Sequence, residues 1–319
     1  MPITEKDATK YEQGIDRDSA LIFSKKTGAE TYDLFALANR IRDKHRGNIV
    51  DLCSIINAKS GACPEDCSFC AQSAHSKTDT SIYPLMNKKK ILEAAAVSKK
   101  YGVKRFCVVT SGKKPSAVEL DEICDFVSEL REMGFLPCAT LGMLDAQELR
   151  QLKDAGLNRY HHNLETSEAF FSEICTTHTY RDKIKTIGAV KSEGLSICSG
   201  GIFGLGESWE DRIDMAFALK EIGVDSVPIN FFTPVTGTPL GNNELLDPLE
   251  ALKIIAIYRL ILPKSEVRVC GGRSLTLGDM NSLIFNAGAD GLLLGNYLTT
   301  TGRRPEDDLK MIKDIGLVL

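Results

Sequence analysis

Missing from these 319 residues is any apolar run approaching the ~18 that a membrane-spanning helix needs. Missing too is a large excess of either charge. The 39 Lys and Arg against 43 Asp and Glu leave a net charge of −4, which gives no electrostatic footing for nucleic acid or an anionic membrane surface. The opening stretch MPITEKDATKYEQGIDRD is polar and charged, unlike a signal peptide or a lipid anchor. No low-complexity segment, internal repeat or clear linker interrupts the chain. These absences lead us to expect a cytoplasmic globular protein, and a composition 43% hydrophobic and 26% charged agrees with that.

Cysteine, by contrast, is plentiful. Ten thiols in a chain expected to live in a reducing compartment point away from disulfides and toward metal or redox chemistry.

The apolar pattern divides the chain. Residues 1–45 read as a helical N-terminal extension, because ETYDLFALANRIRDKH spaces its apolar side chains at helical intervals. From residue 46 to residue 319 a single domain is expected. Its strand candidates are IVDLCSII (49–56), RFCVVT (105–110), FLPCATL (135–141), NRYHHNL (158–164), LSICSGGI (195–202), SVPINFF (226–232), EVRVC (266–270) and DGLLLG (290–295). Amphipathic segments lie between them, several closed by a glycine such as Gly102, Gly134, Gly156, Gly194 or Gly223. Alternation of this kind predicts an α/β fold, a (β/α)8 TIM-type barrel. A doubly wound open sheet would produce a similar string.

The loop after the first strand candidate reads G-A-Cys63-P-E-D-Cys67-S-F-Cys70. Barrel enzymes carry their active sites on such loops. Three thiolates at this spacing can hold three irons of a [4Fe–4S] cluster, and no fourth cysteine follows closely, so one iron is left open for an outside ligand. A structural zinc site would close with four protein ligands in paired spacings.

This spacing, with Phe69 just before the last cysteine, resembles the radical S-adenosylmethionine superfamily. There the cofactor's methionyl amine and carboxylate chelate the open iron, and reduction cleaves the sulfonium to a 5′-deoxyadenosyl radical. At the fifth strand candidate, Gly200-Gly201-Ile202-Phe203-Gly204-Leu205-Gly206-Glu207 matches the superfamily's adenine-pocket pattern. The resemblance therefore makes Phe69, Gly200, Gly201, Ile202, Gly204 and Glu207 expected cofactor-binding residues.

Further cysteines recur on strand candidates: Cys107, Cys138, Cys198, and Cys270 two residues past Arg268. Alternate residues of a barrel strand face the lumen, so thiols thirty to sixty residues apart can meet inside. GACPEDCSFCAQS, the R-F-C, C-A-T-L-G and YHHNLETS stretches, CSGGIFGLGE and VRVCGGR together resemble the biotin synthase family, from about residue 45 to the C-terminus.

That resemblance implies dethiobiotin as substrate and a second iron–sulfur cluster in the lumen that supplies the inserted sulfur. Its implied ligands are Cys107, Cys138, Cys198 and Arg268. Asn163 and Asn230 match positions that bond the substrate's ureido group. Glu165 stands where the family has an aspartate that bonds the ribose, and Lys183 where it has an arginine for the cofactor carboxylate, with Arg181 as an alternative. A low-potential donor such as flavodoxin or ferredoxin, and a homodimer, are family-level expectations.

The residues also allow another radical enzyme of this fold with a different small substrate, or a non-catalytic iron–sulfur carrier. His161 and His162 are expected to be structural, and Cys53, Cys124 and Cys175 to be buried and inert. Cys270 departs from the family pattern. Residues i and i+2 of a strand share a face, so Cys270 is expected to join Arg268 in the lumen and to offer a fourth thiolate. Four thiolates suit a [4Fe–4S]-type inner cluster as well as the [2Fe–2S] form; a [4Fe–4S] type is expected if Cys270 ligates, and the [2Fe–2S] form if Arg268 does.

Overall fold

The computed structural model describes residues 9–319. Two helices, α1 (Arg17–Ser24) and α2 (Ala29–Arg46), precede the first strand. Strands β1 (Asp51–Lys59), β2 (Arg105–Thr110), β3 (Leu136–Thr140) and β4 (Arg159–His161) then alternate with α3 (Lys88–Lys99), α4 (Ala117–Glu132) and α5 (Ala146–Asp154). After the short α6 (Phe171–Ile174) and α7 (Tyr180–Ser192) come β5 (Ser196–Cys198) and β6 (Gly201–Phe203). Helix α8 (Trp209–Ile222), β7 (Ser226–Phe231), α9 (Pro248–Ile261) and β8 (Glu266–Val269) follow. The chain closes with α10 (Arg273–Leu277), α11 (Leu283–Asn286), β9 (Gly291–Leu293) and α12 (Pro305–Asp314).

All pairings in the sheet are parallel, in the order β5-β4-β3-β2-β1-β9-β8-β7-β6, and a β5–β7 pairing closes the ring. The expected TIM-type barrel is what forms, and the open sheet is excluded. Nine strands occupy eight positions because the expected fifth strand is broken at Ser199–Gly200. Cys198 pairs with His161 on one side and Ser226 on the other, and beyond the break Gly201 pairs with Ile229. The glycines make this possible. A Cβ on Gly200 would overlap the Pro228 carbonyl oxygen, and one on Gly201 would overlap that of Glu165.

Helix starts are written locally. Ser116 with Glu119, Asp145 with Glu148, Thr179 with Asp182 and Ser208 with Asp211 all form capping boxes, satisfying orphan N–H groups at the first turn. Helix α9 is apolar nearly all round, burying Leu252, Ile254, Ile255, Ile257, Leu260 and Ile261. It needs to be, because α2 packs on its outer side, burying Leu34, Phe35, Leu37, Ala38 and Ile41. No helix among the described residues is long and apolar enough to cross a membrane.

Candidate active site

Parallel register carries one face around the barrel. Ile55 pairs with Cys107, Cys107 with Cys138, and His161 with Cys198. Cys198 pairs with Ser226, and Pro228, two residues on, pairs with Arg268. Paired residues point the same way and i, i+2 residues share a face, so Cys107, Cys138, Cys198 and Arg268 all face the lumen. Cys270 follows β8, with its N–H donating to Ile229 at 2.9 Å, and keeps the face of Arg268. All four thiols are buried. Burial raises Cys107, Cys138 and Cys270, as it must for thiols away from water.

The same reading brings in a fifth thiol. Cys53 is two residues before Ile55 on β1 and therefore faces inward. Burial pushes it up to about 11, with Arg268 opposing and Cys138 and Cys198 adding to the rise. Cys53, expected to be buried and inert, is thus half-buried and shares the lumen face with the other thiols. Strict period-two reading of DLCSII would have found it. Cys124 lies half-buried on α4, away from this cluster.

Beneath the thiols lies a charged floor. The Arg268 guanidinium donates to the carboxylates of both Asp51 and Glu266, and to the Asp51 and Leu292 carbonyls at 3.0 and 3.2 Å. Glu266 also meets Arg159 at 3.1 Å and Ser226 at 3.2 Å. Arg268 is held more firmly protonated than usual despite its burial, through Cys53, Asp51 and Cys270. Both terminal nitrogens of its planar fork are committed to carboxylates and carbonyls.

Above the lumen, the Cys63–Cys70 loop follows β1 through a tight turn. Gly61 and Ala62 both adopt positive φ, 74° and 48°. Cys63 donates its N–H to the Gln72 carbonyl and accepts from Ala74, and Cys70 donates to the Cys67 carbonyl at 3.0 Å. The loop is stapled to the segment after α6. There the Asp66 carboxylate accepts from the N–H groups of Thr176 and Thr177 at 2.9 and 3.2 Å and from the Thr176 hydroxyl, bonds that hold its carboxyl well below the usual range against burial. Cys63, Cys67 and Cys70 are all half-exposed, and Phe69 packs against the core.

Two asparagines flank the Ser199–Gly200 break. Asn163 accepts from the Gly200 N–H at 3.1 Å and donates to Glu165 at 3.1 Å, while Asn230 donates to the Gly201 carbonyl at 3.1 Å and accepts from Gly271 at 3.1 Å. Ile202 is in register with Asn230. Glu165 sits at φ 74°, its carbonyl accepting from Ile202, and burial raises its carboxyl. Burial pushes His161 down to about 4, leaving a neutral imidazole that donates to Asn163 at 2.7 Å, and it lowers buried His162 likewise.

Two expected cofactor residues stand elsewhere. Arg181 is 90% exposed on the outer face of α7, 3.6 Å from Glu168, whereas Lys183 on the same helix is buried. Residues two apart on a helix point in different directions, and only Lys183 faces in. Glu207 turns back on its own loop. Its carboxylate accepts from the Gly204 and Leu205 N–H groups at 2.9 and 2.7 Å and pairs with Arg212 at 2.7 Å, so it shapes the turn. Gly204, at φ 98°, supplies that turn.

Cys175 is no inert thiol either. Its Sγ lies 3.8 Å from Cys67 Sγ and 3.3 Å from His178 Nδ1, and that nitrogen is 2.5 Å from Glu65. No local sequence signal marks this contact, since Cys67 and Cys175 are 108 residues apart.

Residues 58–219 match the Radical SAM superfamily, and residues 228–318 match the Biotin and Thiamin Synthesis associated domain. The biotin synthase of Thermodesulfovibrio yellowstonii is 55% identical over 286 residues, 90% of each chain. That of Citrifermentans bemidjiense is 49% identical over 304 residues, covering 95% of this chain and 93% of its own. Among solved structures, methylornithine synthase superposes with a TM-score of 0.85 at 22% identity, covering 98% of this chain and 96% of its own. The [FeFe]-hydrogenase maturase HydG gives 0.81 at 15% identity over 99% of this chain and 75% of its own. At those identities the two structures speak for the barrel alone. The relatives at about half identity over nearly the whole chain set aside both the carrier and the radical enzyme of other substrate. The chain belongs to the biotin synthase family, and is a radical S-adenosylmethionine enzyme of sulfur insertion that works with a [4Fe–4S] cluster.

Proposed function

We propose that the chain inserts sulfur into dethiobiotin at the mouth of the barrel, between a cluster held by Cys63, Cys67 and Cys70 and a second cluster held in the lumen. When bound, the first cluster with S-adenosylmethionine supplies the hydrogen-abstracting radical, and the second supplies the sulfur. The donor sets fit both groups: soft thiolates, three on one loop with no fourth cysteine in that loop, and several facing inside. The observation that carries the reading is this combination of a three-cysteine loop above the barrel with several inward-facing thiols, with Asn163 and Asn230 at the edges of the Ser199–Gly200 break.

Around that break the chain's own residues bind and orient. Gly200, Gly201 and Ile202 offer a flat approach for the adenine, with Phe69 nearby in the cysteine loop. Buried Lys183 serves the cofactor carboxylate, and Glu165 accepts from ribose hydroxyls. Asn163 and Asn230 each keep one amide N–H beyond the bonds described, free for a cyclic urea. Asn163→Ala and Asn230→Ala are expected to weaken dethiobiotin binding by about 1–3 kcal/mol each. Equilibrium dialysis reads the affinity while visible spectra report intact clusters, and unchanged affinity in both variants would place the substrate elsewhere.

For the lumen we propose Cys107, Cys138, Cys198 and Cys270 as ligands, with Arg268 as the floor beneath them. A protonated guanidinium already bound to two carboxylates is a poor iron ligand beside a thiolate on the same face. Four thiolates can hold either a [4Fe–4S] or a [2Fe–2S] cluster; we propose the former, for which reconstituted protein should carry about eight irons per chain, against about six for a [2Fe–2S] cluster. Cys270→Ser should lower the iron content and change the inner-cluster spectrum. If it keeps both, the fourth place belongs to Arg268 or, should Cys53→Ser lose iron instead, to Cys53.

The electron enters from a low-potential donor such as flavodoxin or ferredoxin, and the working unit is a homodimer; both rest on the family. The need for many free thiols supports a cytoplasmic setting.

A further inference from the structure

Sulfur insertion leaves Cys175 and His178 unused, yet they stand against the first cysteine loop. Both are buried, at 5% and 7% exposure, while Cys67 is half-exposed. One ligand atom from each of Cys67, Cys175 and His178 can be chosen so that all three lie within 4.8 Å of one another. The Cys67–Cys175 sulfur separation is 3.8 Å, and Cys175 Sγ is 3.8 Å from His178 Nε2. In a tetrahedral site with metal–sulfur bonds of about 2.3 Å, two thiolates stand about 3.8 Å apart. The thiols therefore already have the separation such an ion imposes.

Two carboxylates complete the surroundings. Glu65 Oε2 lies 2.5 Å from His178 Nδ1, and by accepting that N–H it leaves Nε2 bare and orients the ring, as the carboxylate behind a metal-bound imidazole does. Asp66 Oδ1 lies 3.2 Å from Cys175 Sγ and adds negative charge beside the thiols. A histidine and a cysteine that merely pack would need neither.

We propose that, in protein without its first cluster, Cys67, Cys175 and His178 bind one divalent cation of zinc type, with Glu65 orienting the imidazole. Two thiol protons leave as the ion enters, and the fourth position is open to water. Cys67 cannot serve this ion and the cluster together. Given the assignment of Cys67 to that cluster, the ion and the cluster exclude one another, and zinc at this site holds the loop in a form that cannot be loaded.

Cobalt is the probe, because a tetrahedral thiolate site gives it strong visible bands. Cluster-free protein is titrated anaerobically with Co2+, then with Zn2+ as competitor. Spectra are taken as differences from Cys175→Ala, which cancels cobalt held by the lumen thiols. Wild type should show one tetrahedral cobalt per chain, displaced by zinc. His178→Gln should lose at least tenfold in affinity, and Glu65→Gln about tenfold. Cys63→Ala and Cys70→Ala should titrate as wild type does. One equivalent of zinc should slow iron–sulfide reconstitution of wild type but not of Cys175→Ala. Equal cobalt binding in wild type, Cys175→Ala and His178→Gln overturns the proposal, as does loss of the bands in Cys63→Ala and Cys70→Ala. Failure of reconstituted wild type to cleave S-adenosylmethionine would overturn the assignment of the first cluster and leave the cobalt result standing.

Discussion

Alanine at Cys63, Cys67 or Cys70 is expected to bring 5′-deoxyadenosine release down to background. Two thiolates cannot keep three irons of a four-iron cluster in place, and without a site-differentiated iron the cofactor has nothing to chelate. The loop itself should survive. Its shape comes from backbone bonds, Cys63 to Gln72 and Ala74 and Cys70 to Cys67, and from the Asp66 staple, none of which uses the thiol. Thermal stability of the cluster-free variants should therefore stay near that of cluster-free wild type. The measurement is 5′-deoxyadenosine after anaerobic reconstitution and reduction. Substantial product from any of the three variants would remove this loop from the radical chemistry.

The lumen cysteines are expected to fail in a different way. With Cys107, Cys138 or Cys198 changed to alanine, 5′-deoxyadenosine release should persist while biotin formation collapses to near zero. Under the proposed assignment the first cluster is untouched in these variants, whereas the sulfur source loses a ligand. Register makes the separation clean, because Cys107 on β2, Cys138 on β3 and Cys198 on β5 face the inside of the barrel and do not lie on the loop above it. Chromatographic quantitation of both products from the same reaction tests this. Wild-type biotin yield in all three variants would mean that the sulfur comes from elsewhere. Parallel loss of both products would mean that the lumen supports the first cluster too.

Glycine placement at the fifth strand shows how sequence and structure divided the work. The run Gly200-Gly201-Ile202 was legible as an adenine-pocket pattern, but read as one continuous strand it hid the break. On both sides of the break the strand pairs with both neighbours, Cys198 with His161 and Ser226 and Gly201 with Glu165 and Ile229, contacts that no local window contains.

Much of the architecture was written in the chain by itself. Two-residue alternation, helix caps and turn glycines are local, so the eight strand positions, the helices between them and the Cys63–Cys70 spacing could be read without coordinates. The inward set Cys107, Cys138, Cys198, Arg268 and Cys270 followed from the same periodicity once a barrel was assumed. What that face does chemically was decided only by closure. Ring closure sets Arg268 between Asp51 and Glu266, a placement no local window contains. The tertiary fold likewise turned Lys183 inward and Arg181 outward, folded Glu207 onto Arg212, and set Cys175 and His178 against Cys67. Each of these is a contact between groups whose partner is chosen by three-dimensional proximity, and charge and thiol chemistry depend on the partner where strand and helix propensity depend on the neighbours in sequence.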